Sequence, residues 1–209
     1  MSLLLCKHGP VFKHIRKYST SSALDVFKNS GSAEFLAAAA IASSIPNLHG
    51  LPEGRTQTLN FYRVGPPPGK LILVDAPGYG SRGRPEWGAL FDHYVATRKE
   101  LKRVYILFNA KHGLNEVDRV MLESLNEKCQ TTGGQGFTLQ AVITKVDSLT
   151  GEFAPAIRKM QQEIFETAPL CLPAIVTAAS KVQVGTDEVR CSIIEACGLG
   201  RIGATLIRT

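Results

Sequence analysis

Short apolar runs bounded by turn residues alternate along this chain with segments of helical character, and few folds accommodate that order. Lys70–Val74 and Arg103–Phe108 read as strands buried on both faces, and Leu59–Val64, Thr138–Ile143 and Ala174–Thr177 complete a set of five. Between and around them, residues 85–101, 115–129, 152–167 and 187–197 read as helices, the first with Pro85 near its start. Residues 33–45 read as an Ala-rich helix stopped by Pro46. Gly65-Pro-Pro-Pro-Gly69 is a turn, and residues 46–56 and 131–136 are loops. Strands alternating with helices require crossover connections, hence an α/β fold with a mainly parallel sheet. The 209 residues suit one domain plus extensions. A domain of this size buries roughly 70% of its unfolded surface and needs no metal or disulfide staple. No apolar run approaches the roughly 20 residues of a membrane helix, so no integral membrane contact is expected.

Charge is distributed unevenly. The chain carries 24 basic and 18 acidic residues, but residues 1–24 hold Lys7, Lys13, Arg16 and Lys17 and no acid. The basic excess therefore belongs largely to the N-terminus and argues weakly for nucleic-acid binding by the body. Basic, Ser-rich and acid-poor sequence is the pattern of an organelle transit peptide, and Arg16-Lys17-Tyr18 before Ser19 looks like a mitochondrial processing site. Residues 1–24 are thus expected to be a leader to the mitochondrial matrix, and residues 25–53 an extension. The five cysteines show no CxxC pairing and are expected to be reduced thiols. The five histidines show no metal-ligand spacing.

Three small motifs fall at the ends of successive strand candidates, where open α/β sheets place ligands. Asp75-Ala76-Pro77-Gly78 follows the first; its Asp can hold a cation-bound water, and its Gly lets a backbone N–H approach a phosphate. Thr144-Lys145-Val146-Asp147 follows the second; its carboxylate can accept two hydrogen bonds from a guanine edge while the Lys145 stem covers the ring. Thr177-Ala178-Ala179 follows the last, where small residues let a backbone N–H reach a base carbonyl. Each motif is weak alone, and the three in order are not.

Together with Gly54-Arg55-Thr56-Gln57-Thr58-Leu59-Asn60-Phe61 and the extended Asp75–Gly80 stretch, Thr144–Asp147 resembles the EngB (YihA-type) GTPases from about Gly54 to the end of the chain. The resemblance implies a Ras-like P-loop NTPase fold of three layers over residues 54–209, GTP or GDP with Mg²⁺ as ligands, and a role in assembling the large ribosomal subunit. With the leader, the implied partner is the mitochondrial large subunit or its rRNA. It also implies Thr56 and Asp75 on Mg²⁺, Gly54–Thr58 and Asp75–Gly78 around the phosphates, and Thr144–Asp147 with Thr177 and Ala178 around guanine.

One part of the pattern is missing. No G-x-x-x-x-G-K-[ST] occurs in these residues. Gly65–Leu71 is one residue short of it and leads into a strand; Gly198–Gly203 mimics a dinucleotide fingerprint but follows a helix. By the resemblance, the first strand, phosphate loop and first helix should precede Gly54, and the absent strand should lie between Lys70–Val74 and Arg103–Phe108. Two expectations follow. The strands bordering the gap must re-pair or expose their edges, leaving a marginally stable or aggregation-prone chain. Nucleotide affinity falls to millimolar at best, and any GTP hydrolysis awaits a phosphate loop. Alternative readings are a nucleotide-free module that binds rRNA or a ribosomal protein, or a non-functional splice or gene-model product. For the former, Arg82, Arg84, Arg98, Lys99, Lys102 and Arg103 are candidate contacts, although these six also suit a solvated surface.

Overall fold

The computed structural model describes residues 2–8, 25–28, 33–39, 58–65, 71–76, 85–131, 136–151, 153–179 and 184–199. Its strands are β1 (Ser2–His8), β2 (Ala33–Ala39), β3 (Leu59–Val64), β4 (Leu71–Ala76), β5 (Leu101–Asn109), β6 (Thr138–Thr144) and β7 (Cys171–Val176). Its helices are α1 (Asp25–Lys28), α2 (Pro85–Thr97), α3 (Glu116–Thr131), α4 (Phe153–Thr167) and α5 (Thr186–Ala196). The strands form one sheet in the order β2-β3-β4-β1-β5-β6-β7.

β5 is buried because both its faces are apolar: Val104, Tyr105 and Ile106 are wholly inaccessible. It pairs in parallel with β6, Val104 opposite Leu139, and β6 pairs in parallel with β7. Helices α2, α3 and α4 cover one face through Tyr94, Leu122, Leu125 and Ile164, packed on Phe61, Val74, Ile106 and Ile143. The opposite face is covered by α5, whose Ile193 packs in one cluster with Tyr105 and Val142, and by Val26 of α1. The α/β fold expected from the alternation is therefore present, in the three layers that the resemblance implies. α3 starts where Asn115 and Asp118 exchange hydrogen bonds: the Asp118 N–H donates to Asn115 Oδ1 at 2.9 Å and the Asn115 N–H to Asp118 Oδ2 at 3.1 Å. β7 accommodates Pro173 because it is an edge strand, with its proline exposed.

The parallel part of the sheet is β5-β6-β7; the remaining pairings are antiparallel. Two findings account for this. First, the Ala-rich segment expected to be a helix over 33–45 is strand β2 over Ala33–Ala39. It pairs antiparallel with β3, from Ala33 opposite Val64 to Ala39 opposite Leu59. Alanine is the best helix former, but intrinsic propensity yields to tertiary context, and pairing the open edge of β3 while burying Ala37 and Ala39 overrides it here. Arg63 pairs with Glu34 across the two strands.

Second, the expected gap between β4 and β5 is filled. β1 lies between them, antiparallel to both, with Leu4 opposite Asp75 on one side and Tyr105 on the other. The segment comes from the residues expected to be a leader, so the bordering strands re-pair rather than expose their backbone. β1 runs in reverse. It begins at the sheet edge where β4 and β5 end, Leu3 opposite Ala76, and leaves at the far edge, His8 opposite Leu71.

Arg103 is not a surface contact. It is 6% exposed, and its guanidinium donates to Thr138 Oγ1 at 2.9 Å, Ser192 Oγ at 2.7 Å and the Ser192 carbonyl at 3.0 Å. Its bonds tie β5 and β6 to α5, so it leaves the set of candidate RNA contacts. Arg82 and Arg84 lie outside the described residues. The expectation of uniformly reduced cysteines is corrected too: Cys129, Cys171 and Cys191 are free thiols, but Cys197 is disulfide-bonded.

Replacing Arg103 with Met should lower unfolding free energy by about 2–4 kcal/mol in a denaturant titration, because it removes the charge-assisted hydrogen bonds that tie β5 and β6 to α5. Tyr94 behaves oppositely. Its hydroxyl is buried without a hydrogen-bond partner, so Tyr94→Phe should leave stability unchanged or raise it by up to about 1 kcal/mol in the same titration.

Candidate functional site

β4 and β5 are both antiparallel to β1 and so parallel to one another, and β6 and β7 continue that direction. The C-terminal ends of β4, β5, β6 and β7 therefore share one edge of the sheet, and the described motif residues lie along it.

The best-built part is the turn after β6. The Thr144 hydroxyl donates to the Phe108 carbonyl at 3.0 Å, and the Ala110 N–H returns to the Thr144 carbonyl at 2.9 Å, fixing the ends of β5 and β6 together. Lys145 then takes a left-handed conformation, φ 58°, a backbone state that costs a non-glycine residue free energy and is held only where its surroundings impose it. Its carbonyl accepts from the Ser148 N–H at 3.0 Å and the Ser148 hydroxyl at 2.7 Å, closing a short 3₁₀ turn over Val146–Ser148. The turn leaves the Lys145 and Asp147 side chains exposed.

The end of β7 braces this turn. The Thr177 N–H donates to the Ile143 carbonyl at 2.7 Å, and the Val146 N–H donates to the Thr177 carbonyl at 3.3 Å. The Ala179 N–H donates to Asp147 Oδ1 at 3.1 Å. Asp147 is thereby oriented by a backbone donor from the neighbouring loop, and a carboxylate offers further lone pairs for a planar ligand edge. Ala178 and Val184 form an antiparallel bridge below it. Gly185 follows at φ 75°, where a Cβ would lie 1.9 Å from the Val176 carbonyl oxygen. Glycine is the one residue type that lets α5 start so close to the end of β7.

Asp75 stands apart from this turn. The strands β1 and β5 intervene between β4 and β6, which places the two motif ends about 14 Å apart at ordinary strand spacing. Burial pushes the Asp75 carboxyl above its ordinary range, and a hydrogen bond with the Asn60 side chain partly offsets this. Asn60 is itself buried, sits opposite Asp75 on β3, and accepts from the Thr58 hydroxyl at 2.9 Å. The chain Thr58–Asn60–Asp75 thus joins two of the motifs. Asn60 was legible only as part of a strand; its signal is a polar residue in register with an acidic one. Ala76 is buried beside Asp75.

Gly54, Arg55, Thr56, Gln57, Pro77 and Gly78 lie outside the described residues. Of the two residues expected on Mg²⁺, only Asp75 can be placed. A single half-buried carboxyl whose ionisation is opposed by burial is a poor cation ligand by itself, and the described residues contain no group of three or more His, Cys, Asp or Glu side chains able to hold a metal ion. The described residues therefore do not build a Mg²⁺ site.

An open α/β sheet with a braced acidic turn at the C-terminal ends of its strands defines the class of α/β proteins whose candidate ligand edge lies there. Comparison with known proteins narrows this class. No family model matches the chain. It is 33% identical over 147 residues to the "Probable GTP-binding protein EngB" of Rhodopseudomonas palustris (strain TIE-1), covering 68% of this chain and 64% of that protein. It is 30% identical over 151 residues to the protein of the same description from Brucella melitensis biotype 1, covering 67% and 60%. The likeness to that of Ruegeria sp. (strain TM1040) is 30% over 142 residues, covering 66% and 61%. The chain belongs to the EngB family, and the matched regions span less than two thirds of these relatives' lengths.

Gly185→Ala should lower the melting temperature by several degrees and increase amide exchange at Ala178 and Ala179, since the strain falls on the brace of Asp147. Asp75→Asn should stabilise the fold at pH 7. The folded carboxyl titrates higher than the unfolded one, so its contribution is full below the ordinary carboxyl value of 3.8 and is lost as pH rises through the raised value. The gain should accordingly vanish in melts below that pH.

Proposed function

We propose that this chain is a guanine-nucleotide-binding protein acting in assembly of the large subunit of the mitochondrial ribosome. The observation that carries the ligand assignment is the Asp147 carboxylate, braced by the Ala179 N–H and exposed beside Lys145. A guanine edge presents two adjacent N–H donors, from N1 and the exocyclic amine, and one carboxylate accepts both; adenine presents no such pair. The Lys145 stem covers one ring face. Thr177 and Ala178 bound the base on the β7 side. The relatives' description as GTP-binding proteins supports the same reading.

The phosphate end is weaker. β1 occupies the sheet position next to β4 but runs away from the ligand edge, so the strand ends at the opposite edge from the one where a phosphate-cradling loop would have to start. Two charge-assisted hydrogen bonds to guanine contribute about 1.5–3 kcal/mol each. After association costs they give millimolar binding, since 1 mM corresponds to about 4.1 kcal/mol. Mg²⁺ and the residues Gly54–Thr58, Asp75 and Gly78 belong by the resemblance to the phosphate end, and no step is derived through them.

Titrating the chain with guanosine, GDP and GTP, followed by amide shifts of Lys145–Ser148, tests this. All three should bind with millimolar dissociation constants within about threefold of one another, adenosine should bind at least tenfold more weakly, and Asp147→Ala should abolish the preference. Equal response to guanosine and adenosine would overturn the guanine assignment. Micromolar GTP binding that guanosine does not share would overturn the weak phosphate end.

The mitochondrial address rests on the acid-free basic stretch of residues 1–24. Fused to a fluorescent reporter, these residues should carry it into mitochondria, and replacing Lys7, Lys13, Arg16 and Lys17 with Glu should leave it in the cytosol. The ribosomal partner is supported by the family resemblance alone. Co-sedimentation of the tagged chain with mitochondrial large-subunit particles is the expected result, and its absence would remove that part of the reading.

A further inference from the structure

The sheet consists of two locally formed halves. β2, β3 and β4 are an antiparallel set, and β5, β6 and β7 are a parallel set joined by α3 and α4. Among the described residues no strand pairing joins β4 directly to β5; the backbone ladders of the two halves meet only through β1, while side chains of both halves share the two apolar clusters. β1 is Ser-Leu-Leu-Leu-Cys-Lys-His, apolar at three successive positions, as suits a strand placed centrally. Its partners lie roughly 60 to 100 residues away in sequence, so its pairing closes longer loops than any other strand pairing among the described residues.

We propose that the space between β4 and β5 is a strand-binding site, and that the Ser2–His8 segment of a second copy of this chain can fill it in place of the chain's own. The bound strand specifies its ligand. It is extended, seven residues long, antiparallel to both neighbours, and in register from Leu3 opposite Ala76 to His8 opposite Leu71. Two main-chain ladders recognise it, as in peptide recognition by strand addition, here on two sides at once. A strand joined covalently to its own seat through the chain has an effective concentration of about millimolar. A second copy at comparable concentration therefore competes, and reciprocal exchange fills both seats in a closed dimer.

The test uses the full chain under reducing conditions, so that the disulfide at Cys197 does not form. One sample is labelled with a donor dye at its N-terminus and a second with an acceptor at the exposed Cys191. Mixed at rising concentration, they should show energy transfer that appears between about 0.1 and 1 mM and is lost in an excess of free Ser2–His8 peptide. Absence of transfer up to 1 mM, or transfer that the peptide does not compete away, overturns the proposal. A second variant guards against an ambiguous result. Full-length Leu4→Pro cannot complete both ladders with its own strand. It should take up labelled Ser2–His8 peptide at least tenfold more tightly than the wild-type chain, read by fluorescence anisotropy, and gain a cooperative melt if it lacks one alone. It should ignore the same peptide carrying proline at Leu4. Equal uptake of both peptides, or of neither, counts against a strand seat.

Discussion

The double pairing of β1 is the interaction on which the rest of this structure depends. An unpaired strand at the centre of a sheet exposes two rows of backbone donors and acceptors, and a gap there leaves two such edges facing one another. β4 and β5 would be those edges. With β1 between them, both ladders close, the antiparallel and parallel halves become one surface, and the helices on each face acquire a continuous sheet to pack on. The pairing also fixes polarity. Because β1 is antiparallel to both neighbours, β4 and β5 point the same way, and this aligns the ends of β4, β6 and β7 along one edge.

That alignment is also why the site is asymmetric. At the β6–β7 end, local geometry does the positioning: a left-handed Lys145, a closed 3₁₀ turn and a backbone donor to Asp147. Those features depend on parallel pairing of β5, β6 and β7, and on Arg103 holding α5 against β5 and β6. None depends on what occupies the central position. At the β4 end, the geometry depends directly on β1 and β3. Asp75 lies between Leu4 and Asn60, and the raised carboxyl is the electrostatic consequence of that burial.

Much of this was legible from residues alone where structure is decided locally. The runs Leu71–Val74, Val104–Phe108 and Leu139–Ile143 are apolar on both faces, and only a buried strand accounts for them. The turn at Thr144–Asp147 could be placed at a strand end from spacing. What was not legible was decided by distant partners. Ala33–Ala39 carries no strand preference and becomes a strand because β3 offers an open edge. Ser2–His8 reads as part of a basic leader because its charge pattern is local, whereas its place between β4 and β5 is set by residues far along the chain. Asn60 and Ala179 were missed as contacts to Asp75 and Asp147 for the same reason: pairing register brings them together, and the single sequence does not state register.

On the proposed mitochondrial reading, the N-terminal segment answers to two demands that act at different times. A targeting segment must be accessible and unfolded when it is read, and a central strand must be paired on both sides when the fold is complete. The β1 pairings close longer loops than any other strand pairing among the described residues, so the two demands are compatible if the local halves assemble first. Removal of residues 1–18 after import would take β1 with it and return β4 and β5 to facing open edges. The turn after β6 would keep its local bracing, since β5, β6 and β7 pair with one another, while Asp75 would lose the strand beside it and keep Asn60 on its other side. The β6 and β4 ends of the edge would then differ in rigidity as well as in chemistry, and the state of the N-terminus would set that difference.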